Sequence, residues 1–123
     1  VRLKQDVQSN ITFRSEYTLL NAIFQNLIEN AIKYAKPQDA YASISVRSDN
    51  KELIIEVEDN GTGIPHEYQS KIFDMFYRAN NQITGTGLGL YILKRSVDKL
   101  KGSIHVESKP GIGSIFTVKL PHY

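Results

Sequence analysis

Residues 15–36 read SEYTLLNAIFQNLIENAIKYAK, and their apolar positions recur at the spacing of an α-helix. The apolar residues on the shared face are Leu20, Ile23, Phe24, Leu27, Ile28 and Ala31. The pattern predicts a long helix with Ser15 as its N-cap and an end before Pro37, because proline cannot continue a helix. A helix with one apolar face needs a second layer to cover that face, so the pattern also predicts a layered fold.

Stretches rich in apolar and β-branched residues lie on both sides of this helix. Residues 41–48 (YASISVRS) and 52–59 (ELIIEVED) predict a β-hairpin whose turn contains Asp49 and Asn50. Two short pieces before the helix predict a hairpin or a sheet edge, and two late stretches predict closing strands: residues 3–7, 11–14, 103–108 and 114–120. Further helices are predicted at residues 67–75 and 88–100, the second ending at Gly102.

Helices and hairpins segregated in this way predict an α+β fold, a two-layer sandwich with one mixed sheet covered on one face by helices. The 123 residues, 41% of them hydrophobic, suffice for one domain over residues 1–123. The absence of cysteine excludes disulfides and thiolate metal sites, and a net charge of +2 gives no reason to expect nucleic acid as a partner. The chain begins at Val1 without a signal-like or membrane-spanning run, so we expect a fragment of a longer protein, without direct membrane contact.

The first helix carries a polar stripe. Asn26, Asn30 and either Lys33 or Tyr34 share one side of the helix at roughly four-residue spacing. Carboxamide oxygens suit Mg²⁺, a hard cation that takes its remaining ligands from water and substrate phosphates. The stripe predicts such a site; the alternative is that these asparagines are solvated or cap a neighbouring turn.

Asp59 begins the stretch DNGTGIP directly after a predicted strand. A carboxylate at a strand end can accept a hydrogen bond from an exocyclic amine, and Gly61 and Gly63 would let the backbone approach a flat base. The stretch predicts an adenine site, although AspAsnGly is also ordinary turn chemistry.

The stretch KIFDMFYR at 71–78 combines aromatic residues with a final arginine. Phe73 and Phe76 lie three residues apart, as core anchors of a short helix would. The planar fork of Arg78 suits a phosphate, although a surface ion pair is the ordinary alternative.

The stretch GTGLGL at 85–90 opens the second long helix. Glycines at a helix start expose N–H groups, and the helix dipole adds partial positive charge, so this spot attracts phosphates. The stretch matches neither the dinucleotide fingerprint nor a P-loop.

Taken in order, these four stretches resemble the N, G1, F and G2 boxes of the catalytic domains of sensor histidine kinases. The resemblance covers nearly the whole chain and continues through the closing stretch GSIFTVKLP at 113–121. It implies the Bergerat-type ATP-binding fold, with ATP and Mg²⁺ bound. It also implies transfer of the γ-phosphate to a histidine on a separate helical dimerisation domain, and onward transfer to an aspartate of a response regulator.

The resemblance assigns a role to each matching residue. Asn30 and Asn26 would hold Mg²⁺, while Asn26, Lys33 and Arg78 would act on the phosphates. Asp59 would bind the adenine amino group. The remaining nucleotide contacts, including the hinge and phosphate cradle of a lid, fall on Tyr34, Gly61, Gly63, Ile64, Phe76, Gly85, Thr86, Gly87, Leu88, Gly89, Leu90 and Ser114. The last of these is expected to support the aspartate through water.

Two departures from the family pattern bear on function. Only the six residues ANNQIT separate Arg78 from Gly85, so the lid is short and would cover a nucleotide less fully. The three histidines, His66, His105 and His122, are not placed like a phosphoacceptor, so the acceptor domain is expected outside this chain. The resemblance implies the cytoplasmic domain of a membrane-anchored, homodimeric kinase, with this fragment monomeric by itself.

Three alternatives stay open. Hydrolytic relatives on the same fold, the gyrase, chaperone and mismatch-repair ATPases, carry a glutamate where this chain has Asn26, and a carboxamide cannot take a proton from water at neutral pH. Glu29 is nearby but points about 60 degrees away from the stripe, so we expect it to face solvent or to lie behind the ligands. A serine kinase acting on an anti-sigma partner, or a degenerate binding module without catalysis, would use the same fold.

Overall fold

A computed structural model describes residues 2–8, 16–74 and 89–122. Its elements follow in the order β1 (Arg2–Val7), α1 (Tyr17–Lys33), β2 (Tyr41–Ser48), β3 (Glu52–Asp59), a 3₁₀ helix (His66–Tyr68), α2 (Gly89–Lys99), β4 (Ser103–Lys109) and β5 (Gly113–Pro121). The strands form one sheet in the order β1-β2-β3-β5-β4. β1 pairs with β2 in parallel and every other pair is antiparallel, so the sheet is mixed, as predicted. Of the helices described, none is long and apolar enough to cross a membrane.

The core lies between the sheet and the two long helices. In β3, Leu53, Ile55 and Val57 are buried, whereas Glu58 on the opposite face is exposed, as the period of two in a strand requires. The helices complete the core with Ile23, Leu27 and Ala31 from α1 and with Leu93 and Val97 from α2. Each buried valine, leucine or isoleucine side chain contributes about 1.5–3 kcal/mol relative to an exposed position, and the smaller Ala31 contributes less. The predicted α+β sandwich, with helices on one face, is confirmed.

The β2–β3 hairpin has the predicted boundaries because its turn is built from local chemistry. The Asp49 Oδ1 accepts the backbone N–H groups of Lys51 and Glu52, each at 2.8 Å, and these bonds lower the pKa of the Asp49 carboxyl. The His122 ring contacts the Ser48 hydroxyl and the Asp49 carbonyl oxygen at 2.9 Å, so the segment after β5 is attached to this turn.

Two predictions about helices were wrong, namely the N-cap of α1 and the helix at residues 67–75. The prediction of two short strand pieces before α1 lies partly outside the described residues. The N-cap of α1 is Glu16 rather than Ser15, and the Glu16 side chain makes no capping bond. The helix predicted at 67–75 is a short 3₁₀ helix followed by turns, because successive N–H groups bond three residues back and bring Ile72 into the core. β1 forms a sheet edge, and residues 11–14 lie outside the described ranges.

Candidate functional site

Asn30 lies on α1 with its side chain only 6% exposed. Its carboxamide makes no hydrogen bond to any residue that the structure describes. Buried polar groups nearly always have a partner, and an exception calls for an ion, a water molecule or a catalytic role. A carboxamide oxygen is a ligand that Mg²⁺ accepts, so the environment of Asn30 fits the predicted cation.

Asn26 lies one turn earlier on α1, and its Nδ2 donates to the Ala22 carbonyl oxygen at 2.8 Å. Its Oδ1 makes no hydrogen bond to any residue within the described ranges. That oxygen is 3.3 Å from the position that a Cβ would occupy on Gly89, the first residue of α2, and the Lys33 Nζ is 3.9 Å from the same point. Leu90 is the next residue and packs against the core. The start of α2 therefore faces the stripe of α1, where an ammonium and a helix N-terminus both favour negative charge.

Asp59 is the last residue of β3 and is only 5% exposed. Its Oδ1 accepts the Gly61 N–H at 2.9 Å, and the backbone of Ser114, its partner on β5, also lowers the pKa of the carboxyl. Burial raises the pKa of the Asp59 carboxyl, with a small addition from neighbouring Glu58, although the backbone groups of Gly61 and Ser114 offset part of that rise. A buried carboxylate with unused acceptor capacity is suited to a ligand amine.

The loop after Asp59 is in contact with the end of α1. The Thr62 N–H donates to the Tyr34 carbonyl oxygen at 2.9 Å, and a Cβ on Gly61 would collide with that same oxygen. Gly63 has a φ of +72°, and a Cβ there would collide with the Lys109 carbonyl oxygen. Both glycines are therefore required by space, and Gly63 also by its backbone conformation.

A ring of hydrogen bonds joins three loops around Asp59. The Gly111 N–H in the β4–β5 turn donates to the Thr62 carbonyl oxygen at 2.7 Å. The Lys36 Nζ, just after α1, donates to the Gly111 carbonyl oxygen at 2.6 Å. The Thr62 N–H donates to the Tyr34 carbonyl oxygen, which closes the ring. The segment after α1, the loop after β3 and the β4–β5 turn are therefore bonded to one another.

The stripe on α1 connects the two parts of the site. Tyr34 is buried and donates its N–H to the Asn30 carbonyl oxygen at 3.2 Å, one helical turn earlier. From Asn26 to Tyr34 the helix rises about 12 Å at 1.5 Å per residue. The α2 start lies at one end of this stripe and the Asp59 loop at the other, so a long ligand could span both.

The sequence prediction missed Ser108 and Gln69. The Ser108 Oγ accepts the Ile64 N–H at 2.7 Å and contacts the Ser114 Oγ at 2.7 Å, and Gln69 Nε2 donates to the Ile64 carbonyl oxygen at 3.1 Å. The sequence did carry a signal for Ser108. Alternate residues of β4 and β5 face the core and are apolar, as Val106 and Phe116 are, whereas the next such pair is Ser108 and Ser114. The contact of Ser114 with Asp59 through water stays a prediction; the two residues are paired in the register of β3 and β5.

Asn60, the second residue of the stretch DNGTGIP, has a structural role. Its Oδ1 accepts the Tyr41 N–H at 2.8 Å, and its Nδ2 donates to the Asp39 carbonyl oxygen at 2.9 Å. Asp39 has a φ of +54°, which aspartate tolerates better than most residues. Asn60 therefore anchors the loop before β2 rather than pointing to the stripe.

Several predicted site residues lie outside the described ranges. These are Phe76, Arg78, Gly85, Thr86, Gly87 and Leu88. The residues brought together are those on α1, the β3–loop junction, the start of α2 and the start of β5.

Several residues outside this constellation are exposed. Glu29 is exposed and accepts a hydrogen bond from Gln25 at 3.3 Å, which confirms its position on the solvent side of α1. His66 is exposed, and His105 lies exposed on β4 beside Glu107, 3.5 Å away. Among the described residues, no group of three or more histidine, aspartate and glutamate side chains could hold a metal ion.

A groove of about 840 Å³ lies at the same end of the sheet. It is lined in part by Tyr41, Glu58 and Ile115, which lie on the sheet face away from the helices, and it also reaches Asp59 and Ser114. Its described lining does not include the α1 stripe. We therefore place the candidate site on the helix side of Asp59 and not in this groove.

Comparison with known families assigns the chain to a class. The family described as histidine kinase-, DNA gyrase B-, and HSP90-like ATPase matches residues 15–123. The chain belongs to this family, and it is an ATP-binding catalytic domain of the histidine kinase type.

Individual relatives agree with this assignment. Sensor-like histidine kinase SenX3 of Mycobacterium tuberculosis is 40% identical over 125 residues, covering 98% of this chain and 30% of SenX3. Sensor protein SrrB of Staphylococcus aureus is 41% identical over 106 residues, covering 83% of this chain and 18% of SrrB. The solved catalytic domain of histidine kinase ThkA, in a nucleotide-free form, has a TM-score of 0.84 at 26% identity, covering 98% of this chain and 78% of that one. The chain thus spans less than a third of the length of SenX3 and of SrrB.

Proposed function

We propose that this chain binds ATP together with Mg²⁺ and donates the γ-phosphate to a histidine on a helical dimerisation domain outside the chain. The observation that carries this proposal is the buried Asn30 carboxamide, which has no hydrogen-bond partner among the described residues. It lies between Asn26 and Tyr34, on the stripe that connects the start of α2 with the Asp59 loop.

The two ends of the stripe suit the two ends of a nucleotide. Asp59 would accept a hydrogen bond from the adenine amino group, and the backbone at Gly61 and Gly63 would lie against the base. Asn30 and Asn26 would offer carboxamide oxygens to Mg²⁺, and Lys33 would hold phosphate oxygens near Gly89. Bound with Mg²⁺, ATP supplies an activated phosphoryl group; the contribution of these residues is positioning and neutralisation of charge.

The remaining assignments extend the same proposal. Arg78 would hold the outer phosphates, and Phe76 would pack beside the nucleotide. Ile64 and Leu90 would line the pocket behind the base and the phosphates, with Ser114 holding Asp59 in place. The lid contacts would come from Gly85, Thr86, Gly87 and Leu88.

The hydrolytic alternative lacks a suitable base at the position where such enzymes carry glutamate. Asn26 cannot accept a proton at neutral pH, and its amide nitrogen already donates to the Ala22 carbonyl oxygen. Glu29 faces solvent and bonds to Gln25. Transfer to a histidine needs no base from this chain, which favours the kinase.

The partners follow from this reaction. The immediate partner would be the histidine-bearing helical domain of the same protein, and the later acceptor an aspartate of a response regulator. We place the chain on the cytoplasmic side of a membrane-anchored homodimer, and we expect the isolated chain to be monomeric.

The test is titration of the chain with the non-hydrolysable analogue AMPPNP, with and without Mg²⁺. The wild type should bind, and Mg²⁺ should strengthen binding. N30A should lose the Mg²⁺-dependent part, by about tenfold or more, while the exposed Asn21 on the same helix supplies the matched control N21A, which should behave as wild type. Binding by N30A that still responds fully to Mg²⁺ would refute the assignment of Asn30.

The kinase class has its own test in the longer protein. The residues that precede Val1 should form a helical hairpin that carries a histidine followed by glutamate or aspartate. Replacing that histidine should abolish acid-labile phosphate incorporation from ATP while leaving AMPPNP binding intact. Rapid turnover of ATP by the present chain alone would favour the hydrolytic alternative.

A further inference from the structure

Ser108 lies near the end of β4, opposite Ser114 of β5 in the strand register. Its Oγ makes three contacts: with the Ile64 N–H at 2.7 Å, the Ser114 Oγ at 2.7 Å and the Gly113 carbonyl oxygen at 3.1 Å. A hydroxyl has one hydrogen and two acceptor positions. All three contacts are satisfied together when Ser108 donates to Gly113 and accepts from the other two groups.

Ile64 is held at both of its backbone groups. Its N–H donates to Ser108, and its carbonyl oxygen accepts from Gln69 Nε2, which also donates to the Ser108 carbonyl oxygen at 3.2 Å. The Ile64 side chain is 1% exposed, so water cannot easily replace a lost bond at this point. The loop is therefore fixed to the end of β4 by polar contacts as well as by packing.

The same serine pair reaches Asp59 from the other direction. Ser114, whose Oγ contacts Ser108, is the residue of β5 that pairs with Asp59 in the strand register. The loop that Ser108 holds at Ile64 begins directly after Asp59 and Asn60. The Ser108 hydroxyl thus contacts both β5, which pairs with the strand that ends at Asp59, and the loop that follows Asp59.

We propose that Ser108 is a positioning residue for base selection, which fixes the distance between the Asp59 carboxylate and the Gly61–Ile64 loop without touching the nucleotide itself. This inference rests on the proposed function, in which that carboxylate and that loop hold adenine. With Ser108 intact, the carboxylate lies where an exocyclic amine can donate to it. Without the hydroxyl, the loop and the carboxylate move independently, and the preference for an amine over a carbonyl at this position declines.

The experiment compares ADP with IDP, which carries a carbonyl oxygen in place of the adenine amine. Calorimetric titration of the chain should show that the wild type prefers ADP. S108A should weaken ADP binding by about tenfold, the cost of a lost buried hydrogen bond, and should change IDP binding much less, so that the ADP:IDP ratio falls. S108T keeps the hydroxyl and should restore the ratio. Ser103 is an exposed serine on the same strand, so S103A should match the wild type.

Hydrogen exchange supplies a second readout at the bond itself. The Ile64 amide should exchange faster in S108A than in wild type, and at the wild-type rate in S103A. Gln69 is only half-buried, so Q69M removes the Nε2 donor at a site that tolerates substitution, and it should lower the ADP:IDP ratio in the same direction. This variant gives an answer even where S108A does not fold.

The outcomes separate this inference from the proposed function. A wild-type preference for ADP that persists unchanged in S108A and Q69M overturns the role of Ser108 and leaves the proposed nucleotide site standing. Equal loss of ADP and IDP binding also overturns it, because that result indicates general loosening of the fold. A wild type that does not distinguish ADP from IDP contradicts the role of Asp59, and this inference falls with it.

Discussion

The backbone N–H of Thr62 donates to the carbonyl oxygen of Tyr34 across 2.9 Å, which joins the end of α1 to the loop that follows Asp59. Carbonyl groups in the last turn of a helix have no partner within the helix, and this one accepts from the loop. The contact is close because the neighbouring residue is Gly61, where any Cβ would collide with the same oxygen. The spacing between Asn30 and Asp59 therefore depends on a backbone contact that a larger residue would break.

The first prediction concerns G61A. The added methyl group must push the loop away from Tyr34, and it would also come within 2.9 Å of the Asp59 Oδ1. We expect a loss of about 1–3 kcal/mol in the free energy of unfolding, as for overpacked sites, together with weaker ADP binding. Urea unfolding and calorimetry measure the two effects.

Thr62 provides the matched control for this substitution. Its side chain is exposed, and its hydroxyl lies 3.5 Å from the Gly63 carbonyl oxygen, at the limit of a hydrogen bond. T62A keeps the backbone bond to Tyr34, so its stability should lie within about 0.5 kcal/mol of wild type. If G61A proves as stable as T62A, the close contact described above is wrong.

The second prediction concerns ligand binding by Asp59. D59N keeps an oxygen that can accept the Gly61 N–H, but it replaces a charged acceptor with a neutral amide. Hydrogen bonds to charged groups contribute about 1.5–3 kcal/mol, so ADP affinity should fall by about tenfold to a hundredfold while IDP affinity changes less. An unchanged ADP affinity would remove Asp59 from the site.

The third prediction concerns pH and the same carboxyl. Burial raises the folded-state pKa of Asp59 above its usual value of 3.8, so the folded chain binds a proton more readily than the unfolded chain. The unfolding free energy of wild type should therefore rise relative to D59N as the pH falls from the raised pKa toward 3.8, and this gain is absent above the raised pKa. ADP binding needs the ionised carboxylate and should weaken over the same interval. Parallel stability curves for the two proteins would contradict the raised pKa.

The elements that could be predicted from sequence are those with local causes. The β2–β3 hairpin agrees at both strands because Asp49 builds the turn with its own side chain. The parallel pairing of β1 with β2 joins Arg2 to Tyr41, and no local pattern selects that partner. The N-cap was misplaced by one residue because α1 begins without any side-chain cap.

The residues of the candidate site likewise fall into those that a local pattern indicates and those that it does not. Asn30 and Asp59 could be predicted because polar residues at those points of a buried helix face and a strand end are unusual. Ser108 was missed although it falls on a core-facing position of its strand, because its partner Ile64 lies 44 positions away and no local pattern selects that partner. Lys36, whose bond to Gly111 spans 75 positions, depends equally on the assembled loops.

The fourth prediction addresses hydrolysis of ATP. Glu29 is exposed and bonds to Gln25, so it has no path to a water molecule beside the phosphates. E29Q should leave both ADP affinity and any slow ATP turnover of the chain unchanged. A strong fall in turnover without a change in affinity would make Glu29 a base and would revive the hydrolytic alternative.

The fifth prediction separates the phosphate end of the site from the base end. A Cβ on Gly89 would lie 3.3 Å from Asn26 Oδ1 and 3.9 Å from Lys33 Nζ, so G89A adds a methyl group between the stripe and the α2 start. Alanine suits a helix better than glycine by about 0.5–1 kcal/mol, so the chain should remain folded and be equally or more stable. Thermal unfolding measures this.

The methyl group of G89A occupies space that the phosphates and Mg²⁺ would need, and the Asn26 side chain must move by a few tenths of an ångström to accept it. We expect AMPPNP affinity in the presence of Mg²⁺ to fall by about tenfold, and adenosine affinity to stay at the wild-type value. G61A should show the opposite order, because its methyl group is added at the base end. If G89A weakens adenosine binding and AMPPNP binding equally, then the α2 end of the stripe does not bind the phosphates separately from the base. The nucleotide must then lie in another orientation.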